Sequence, residues 1–164
     1  MLQRKANEKM SKYLLSVDPG KASGICLFEL SDEGEPVLLS SGEYQQIEYA
    51  KPIREALAMS ASKGVDIEII CERFIINAQT VRNSQAPYSL EQIGILKQCL
   101  IDSGYDPEKI VFQSPADAKA MFSNEKLKIL GYWHRGGEGH ALDSIRHALL
   151  RFAKTGWKPI KLLN

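Results

Sequence analysis

Apolar positions along the chain follow two periods, and their order predicts the architecture. YLLSVD (13–18) and GICLFELS (24–31) are apolar runs of strand length, joined by the turn PGKAS. DEGEP (32–36) is a second turn, and VLLSSGEY (37–44) is a third strand. Over 48–62 the period changes: Ile53, Ala56, Leu57 and Ser60 recur at helical spacing, Pro52 suits the first turn, and Gly64 ends the helix. DIEIICE (66–72) is a fourth strand, followed by a polar loop over 73–88. Ser89 with Gln92 reads as a capping box that opens the helix SLEQIGILKQCLIDS. KIVFQ (109–113) is a fifth strand, and SPADAKAMFSNEKLKILG holds one or two short helices. YWHRGGEG is a loop, and a last helix begins at about His140, after Gly139. Three strands in a meander, then alternating helix and strand, predict an α/β fold: a five-stranded mixed sheet with helices on both faces. The expected organisation is a basic N-terminal arm over 1–11, one domain over 12–156 and a C-terminal tail over 157–164.

The last helix changes the picture, because two kinds of stripe run along it. At roughly 100° per residue, Leu142, Ile145, Leu149 and Phe152 fall within about 80° of one another and form a buried face. His140, Asp143 and His147 lie within about 60° of each other on the opposite side. Three potential metal ligands therefore share one stripe. A merely solvated face, with Asp143 favouring the first turn and His147 exposed, is the alternative.

Composition narrows the field without deciding it. A formal net charge of +1 gives no global basic field, so nucleic-acid binding would have to come from local patches. The N-terminus MLQRKANEKMSK lacks the apolar core of a signal peptide, and no apolar run approaches 18 residues. Cys26, Cys71 and Cys99 stand singly in apolar segments, without metal-ligand or disulfide spacing. These features predict core cysteines and a cytoplasmic protein away from membranes.

In mixed sheets of this kind, sites form beyond the carboxyl ends of the parallel strands. Asp18 ends the first strand and Glu72 ends the fourth. Either could be bland: an Asp before Pro-Gly often bonds its own backbone, and a strand-ending Glu often faces water. If both ends lie beside the helix at 140, four oxygen and nitrogen ligands converge. A carboxylate-rich set suits hard cations such as Mg²⁺ and Mn²⁺, and a pair of such ions can drive phosphodiester cleavage.

VDPGKASG, IICERF and HALDSIRHALL, in that order and on those elements, resemble the signature segments of the RuvC family of Holliday junction resolvases, within the ribonuclease H-like superfamily. The resemblance covers Tyr13 to about Ala153 and implies a ribonuclease H-like fold. It implies that Asp18, Glu72, His140 and Asp143 are the catalytic and metal-ligating residues, holding two Mg²⁺ ions, with Mn²⁺ able to substitute. Ser144 takes the place of the small residue after the last Asp. His140 departs from the Asp of many members, although some members use His there, and His147 lies outside the pattern. The implied activity is resolution of four-way DNA junctions by paired symmetric nicks, carried out by a homodimer. The apolar arc of Ile93, Ile95, Leu96, Cys99 and Leu100 is wide enough to include an isologous contact.

In that family the loop after the Glu reaches into the junction centre, which makes Phe74 or Ile75 the candidate wedge and Arg82 a candidate phosphate contact, ahead of Arg73. Phe74 could equally pack the strand end. Lys126, Lys128, His134 and Arg135 accompany Tyr132 and Trp133 just before the last helix, a mixture suited to a DNA backbone. Lys158 and Lys161 add charge to a tail whose other role is to cover the domain. Three rivals remain: a flap or branched-DNA nuclease, a nuclease acting on RNA–DNA hybrids, and an inactive DNA-binding module. Sugar kinases and actin-like ATPases also place Asp-x-Gly after a first strand, but they use two such domains and 164 residues provide one.

Overall fold

The protein is described by a computed structural model covering residues 11–31, 34–82 and 86–163. Apart from Ser11, the predicted N-terminal arm lies outside the described residues, as do residues 32–33 of the second turn, 83–85 of the polar loop, and Asn164. Five strands form one sheet: β1 (Ser11–Asp18), β2 (Ala22–Ser31), β3 (Val37–Gln45), β4 (Asp66–Glu72) and β5 (Val111–Gln113). Their order across the sheet is β3-β2-β1-β4-β5. β1 pairs antiparallel with β2, and β2 with β3, as a short-turn meander must. β4 pairs parallel with β1, and β5 with β4, across helical crossovers.

Helices pack on both faces of the sheet. α1 (Ala50–Lys63) buries Ile53, Ala56, Leu57 and Ser60, the four positions whose spacing predicts it, and Gly64 ends it in the left-handed conformation. With α3 (Ala86–Asp102) it closes a core containing Leu15, Val17, Leu27, Ile69, Leu96 and Leu100. The opposite core holds Leu14, Phe28, Ile70 and Leu127 under α4 (Pro115–Met121), α5 (Asn124–Leu130) and α6 (His140–Lys154). Leu142, Ile145, Leu149 and Phe152 of α6 are all buried there. Removing each such side chain from water stabilises the fold by roughly 1.5–3 kcal/mol. Trp157 stacks on Phe122 and meets Phe152 edge-on, so the segment after α6 folds back over this core. No described helix is long and apolar enough to cross a membrane.

Three local expectations need correction. Ser89 does not cap a helix, because α3 already begins at Ala86 and the Ser89 hydroxyl donates to the Pro19 carbonyl at 3.0 Å. It thereby ties α3 to the turn after β1. The polar loop contains a short helix, α2 (Ala78–Arg82), whose start is capped by Asn77: its Oδ1 accepts from the backbone N–H of Gln79 and Thr80, each at 3.0 Å. Residues 109 and 110 do not belong to β5. Pro107–Lys109 form a 3₁₀ turn capped by Asp106, which leaves a three-residue strand.

One charged network is built into the fold. Glu68 on β4 accepts from Lys12 Nζ at 2.6 Å and from Arg151 of α6 at 2.6 Å, with its side chain only 14% exposed. Burial raises its carboxyl, but Lys12 and Arg151 hold it below the ordinary value of 4.5. A depressed folded-state pKa contributes stability above the ordinary value and loses it as pH falls through the folded one. Glu68→Gln is therefore expected to lower stability by about 2 kcal/mol at neutral pH. Denaturant melts of the two proteins should converge as pH falls below about 4.5; an equal gap at every pH would contradict the ion pairing.

Candidate active site

The sheet brings a row of residues together at one edge. Gly24 pairs with Asp18 on one side and with Glu43 on the other. One step beyond the pair Val17–Cys71, the parallel strands β1 and β4 end side by side at Asp18 and Glu72. Glu72 pairs in turn with Gln113. The row across five strands is thus Glu43, Gly24, Asp18, Glu72, Gln113, and paired residues share a face. α6 lies across it and touches each strand of the row. Its first-turn N–H groups meet Glu43, its His140 meets Asp18, its His147 meets Glu72, and the His147 carbonyl accepts from Gln113 Nε2 at 2.9 Å.

Asp18 is buried, and its Oδ2 lies 3.0 Å from His140 Nδ1. It does not serve the Pro-Gly turn: the Ser23 hydroxyl closes that turn, accepting from Gly20 N at 3.1 Å and donating to Gly20 O at 3.2 Å. Burial raises the Asp18 carboxyl, the His140 bond lowers it, and the charges of Glu72 and Asp143 raise it, leaving it at about 6. The Asp18 bond raises the His140 imidazole to about 9 against the opposing effect of burial.

Glu72 and Asp143 have partners of their own. His147 Nε2 stands 2.8 Å from Glu72 Oε2, and His147 is 1% exposed, so it is neither a surface residue nor idle. Its Nδ1 is buried without a partner. Asp143 Oδ1 accepts from Arg146 at 2.5 Å, and Oδ2 lies 3.1 Å from Lys119 Nζ. Arg146 is itself fixed, donating to the Phe122 carbonyl at 2.9 Å and to Asn124. An open cleft of about 400 Å³ beside Asp143 is lined by Lys119, Ser123, Asn124, Gly139 and Arg146 among others. Among the described residues no three His, Cys, Asp or Glu side chains converge as a metal-binding group. Each of the three carboxylates faces a nitrogen instead.

The sequence pattern does not reveal Glu43, Lys119 or Arg146. Lys119 stands on an exposed turn of α4, and Glu43 is 97 residues from the backbone N–H of His140 that it accepts. Only the helical spacing of Asp143 and Arg146 carried a usable signal, an i,i+3 ion pair.

The residues predicted to contact DNA differ in exposure and in the partners they already have. After Glu72, Phe74 is half-buried while Ile75, Ile76 and Val81 are exposed, and Arg82 is exposed as well. Lys126 Nζ donates to the Met121 carbonyl at 2.7 Å, and Lys128 lies 4.8 Å over the Trp133 ring. Arg135 is exposed in the Gly-rich approach to α6. Lys158 and Lys161 are exposed beyond Trp157.

No protein-family model matches the chain, and no curated protein matches it. Among solved structures, it is similar to RuvC of T. thermophilus in complex with a Holliday junction substrate, at 18% identity and a TM-score of 0.61, over 88% of this chain and 96% of that one. A second match, to the protease–reverse transcriptase of prototype foamy virus, has 12% identity and a TM-score of 0.28, over 92% of this chain and 22% of that one, too low to carry a structural correspondence. The chain has the ribonuclease H-like fold: a five-stranded mixed sheet with helices on both faces.

Proposed function

We propose that this protein is a divalent-metal-dependent endonuclease that resolves four-way DNA junctions by paired nicks. The observation that carries the reading is the row itself. Asp18 and Glu72 end adjacent parallel strands, and α6 lays His140 and Asp143 over the same edge. The likeness in fold to a RuvC seen with a Holliday junction supports the substrate class.

The donor set fits a hard cation in kind: three carboxylates and one imidazole. Burial and the charges of Glu72 and Asp143 raise the Asp18 carboxyl, a repulsion that a cation bound between these carboxylates would relieve. His140 faces Asp18, and Arg146 and Lys119 face Asp143. Asp18, Glu72, Asp143 and His140 would hold Mg²⁺, or Mn²⁺ in its place, as two ions. Such ions would supply activation of a water and neutralisation of charge on the departing oxygen.

The chain's own groups do the rest. β1 and β4 fix the two strand-ending carboxylates, His147 orients Glu72 from a buried position, and Arg146 orients Asp143. The cleft beside Asp143 is large enough for a backbone phosphate, with Lys119 at its edge as a counter-charge. Phe74 and Ile75 would serve as the wedge at the junction centre, with Arg82, Lys126, Lys128 and Arg135 contacting phosphates. Two such sites, in a homodimer, would make the two nicks.

The test is cleavage of a labelled four-way junction, a flap, plain duplex and an RNA–DNA hybrid with Mg²⁺ or Mn²⁺, beside the Asp143→Asn protein. Paired symmetric nicks confined to the junction, and absent with the variant, are expected. Preferential cutting of flaps or hybrids would replace the substrate, and full activity of Asp143→Asn would remove the site. Junction affinity should also fall steeply as salt is raised. Millimolar Mn²⁺ should raise the melting temperature of the wild-type protein, by about 2.7 kcal/mol of added stability at a hundredfold excess over Kd, and should leave Asp18→Asn unmoved.

A further inference from the structure

α6 begins without a cap of its own. Gly139, the residue before its first turn, has no side chain and sits at φ +98°, and Gly136 and Gly137 before it also have positive φ. A helix start leaves several backbone N–H groups without intrahelical partners. Here they are met from another strand. Glu43 Oε2 accepts from Glu138 N at 2.8 Å, while Oε1 accepts from Gly139 and His140 N, each at 2.8 Å, and from Ala141 N at 3.4 Å. Gly137 lies so close to this carboxylate that a Cβ there would fall 2.3 Å from Oε2. The carboxylate, a negative charge at the positive end of a 15-residue helix, is held below its ordinary pKa by these N–H groups against the effect of burial.

The consequence is positional. His140 reaches Asp18 and Asp143 extends toward the cleft from this first turn, and the glycines before it add no side chain that would hold the turn in place. We propose that Glu43 is the positioning residue that fixes the first turn of α6, and with it His140 and Asp143, against the carboxylates of Asp18 and Glu72. The assignment rests on the nuclease reading for its effect on rate, but not for its effect on structure.

The test has two arms. Amide hydrogen exchange of Glu43→Ala compares peptides covering 138–143 with peptides from β1 and β4. Exchange is expected to quicken about tenfold or more in the first turn of α6 while the strands keep their protection. Cleavage of the four-way junction is measured on the same variant with Glu43→Gln beside it. The maximal rate of Glu43→Ala should fall roughly 10- to 100-fold with junction Kd within a few-fold of wild type. Glu43→Gln, which keeps one acceptor oxygen for Gly139, His140 and Ala141, should recover most of that rate. Unchanged exchange in the first turn, or quickening spread equally over the strands, would overturn the assignment. So would a loss in Kd rather than in rate. A wild-type protein that cuts no branched DNA would remove the nuclease reading, while the exchange arm alone would still decide the role of Glu43.

Discussion

Asp18→Asn is expected to cleave a four-way junction at least roughly 10³-fold more slowly than the wild-type protein while binding that junction with similar affinity. The two halves of this expectation have separate causes. The substitution removes a charge from the middle of the acidic row without changing the shape of the side chain. That charge is what Glu72, Asp143 and burial make costly, and what a bound cation would relieve. The fold does not depend on it. The carbonyl oxygen of the substituted amide can still accept from the His140 ring, and the turn beyond is closed by Ser23 rather than by Asp18. Melting temperature without metal should therefore stay within a few degrees of wild type. DNA affinity should persist because Arg82, Lys126, Lys128 and Arg135, the proposed phosphate contacts, are not members of the acidic row. Single-turnover cleavage and gel-shift titration of the same preparation separate the two. Retained cleavage would exclude Asp18 from the chemistry; lost binding would mean that the carboxylate organises the DNA surface.

What could be read from the chain differs by the range of the interaction. The strand ends at Asp18 and Glu72, the buried stripe of α6 and the buried set of α1 follow from local periodicity, and the structure places them accordingly. Ser89 shows how local chemistry misleads: its spacing to Gln92 has the form of a cap, but a longer-range bond to Pro19 claims the hydroxyl. His147 shows the same limit. Its helical position sets it opposite the leucines, which predicts exposure if only the sheet covers α6. Glu72 rises from the sheet edge to meet it, and the Gln113 amide holds its carbonyl, so His147 is covered while His140 and Asp143 stay partly exposed. Glu43 lies beyond any local pattern, because its partners are N–H groups that every residue carries.

Gly24→Ala is expected to be the most damaging single-methyl change in the described fold. The glycine stands between Asp18 and Glu43 in the row, directly under the start of α6. A Cβ at this position would lie 1.8 Å from the His140 carbonyl oxygen, 2.2 Å from its carbon and 2.8 Å from Ala141 N. These are backbone atoms of a helix pinned by Glu43 on one side and by Gln113 further along, so no rotamer change relieves the overlap. Either α6 lifts by roughly an ångström or more, or β2 bends away from it. Overpacking of this kind typically costs about 1–3 kcal/mol, and a backbone neighbour puts the expected loss near or above about 3 kcal/mol. Lifting α6 also draws His140 from Asp18 and His147 from Glu72, so cleavage by whatever protein remains folded should fall by a further factor of roughly 10². This gives a physical reason for the glycine that follows the Asp-Pro-Gly turn: the helix carrying half of the site crosses the sheet where only a hydrogen fits. Denaturant unfolding, with the cleavage rate normalised to the folded fraction, measures both losses. A Gly24→Ala protein as stable and as active as wild type would show that α6 does not rest on this strand in solution.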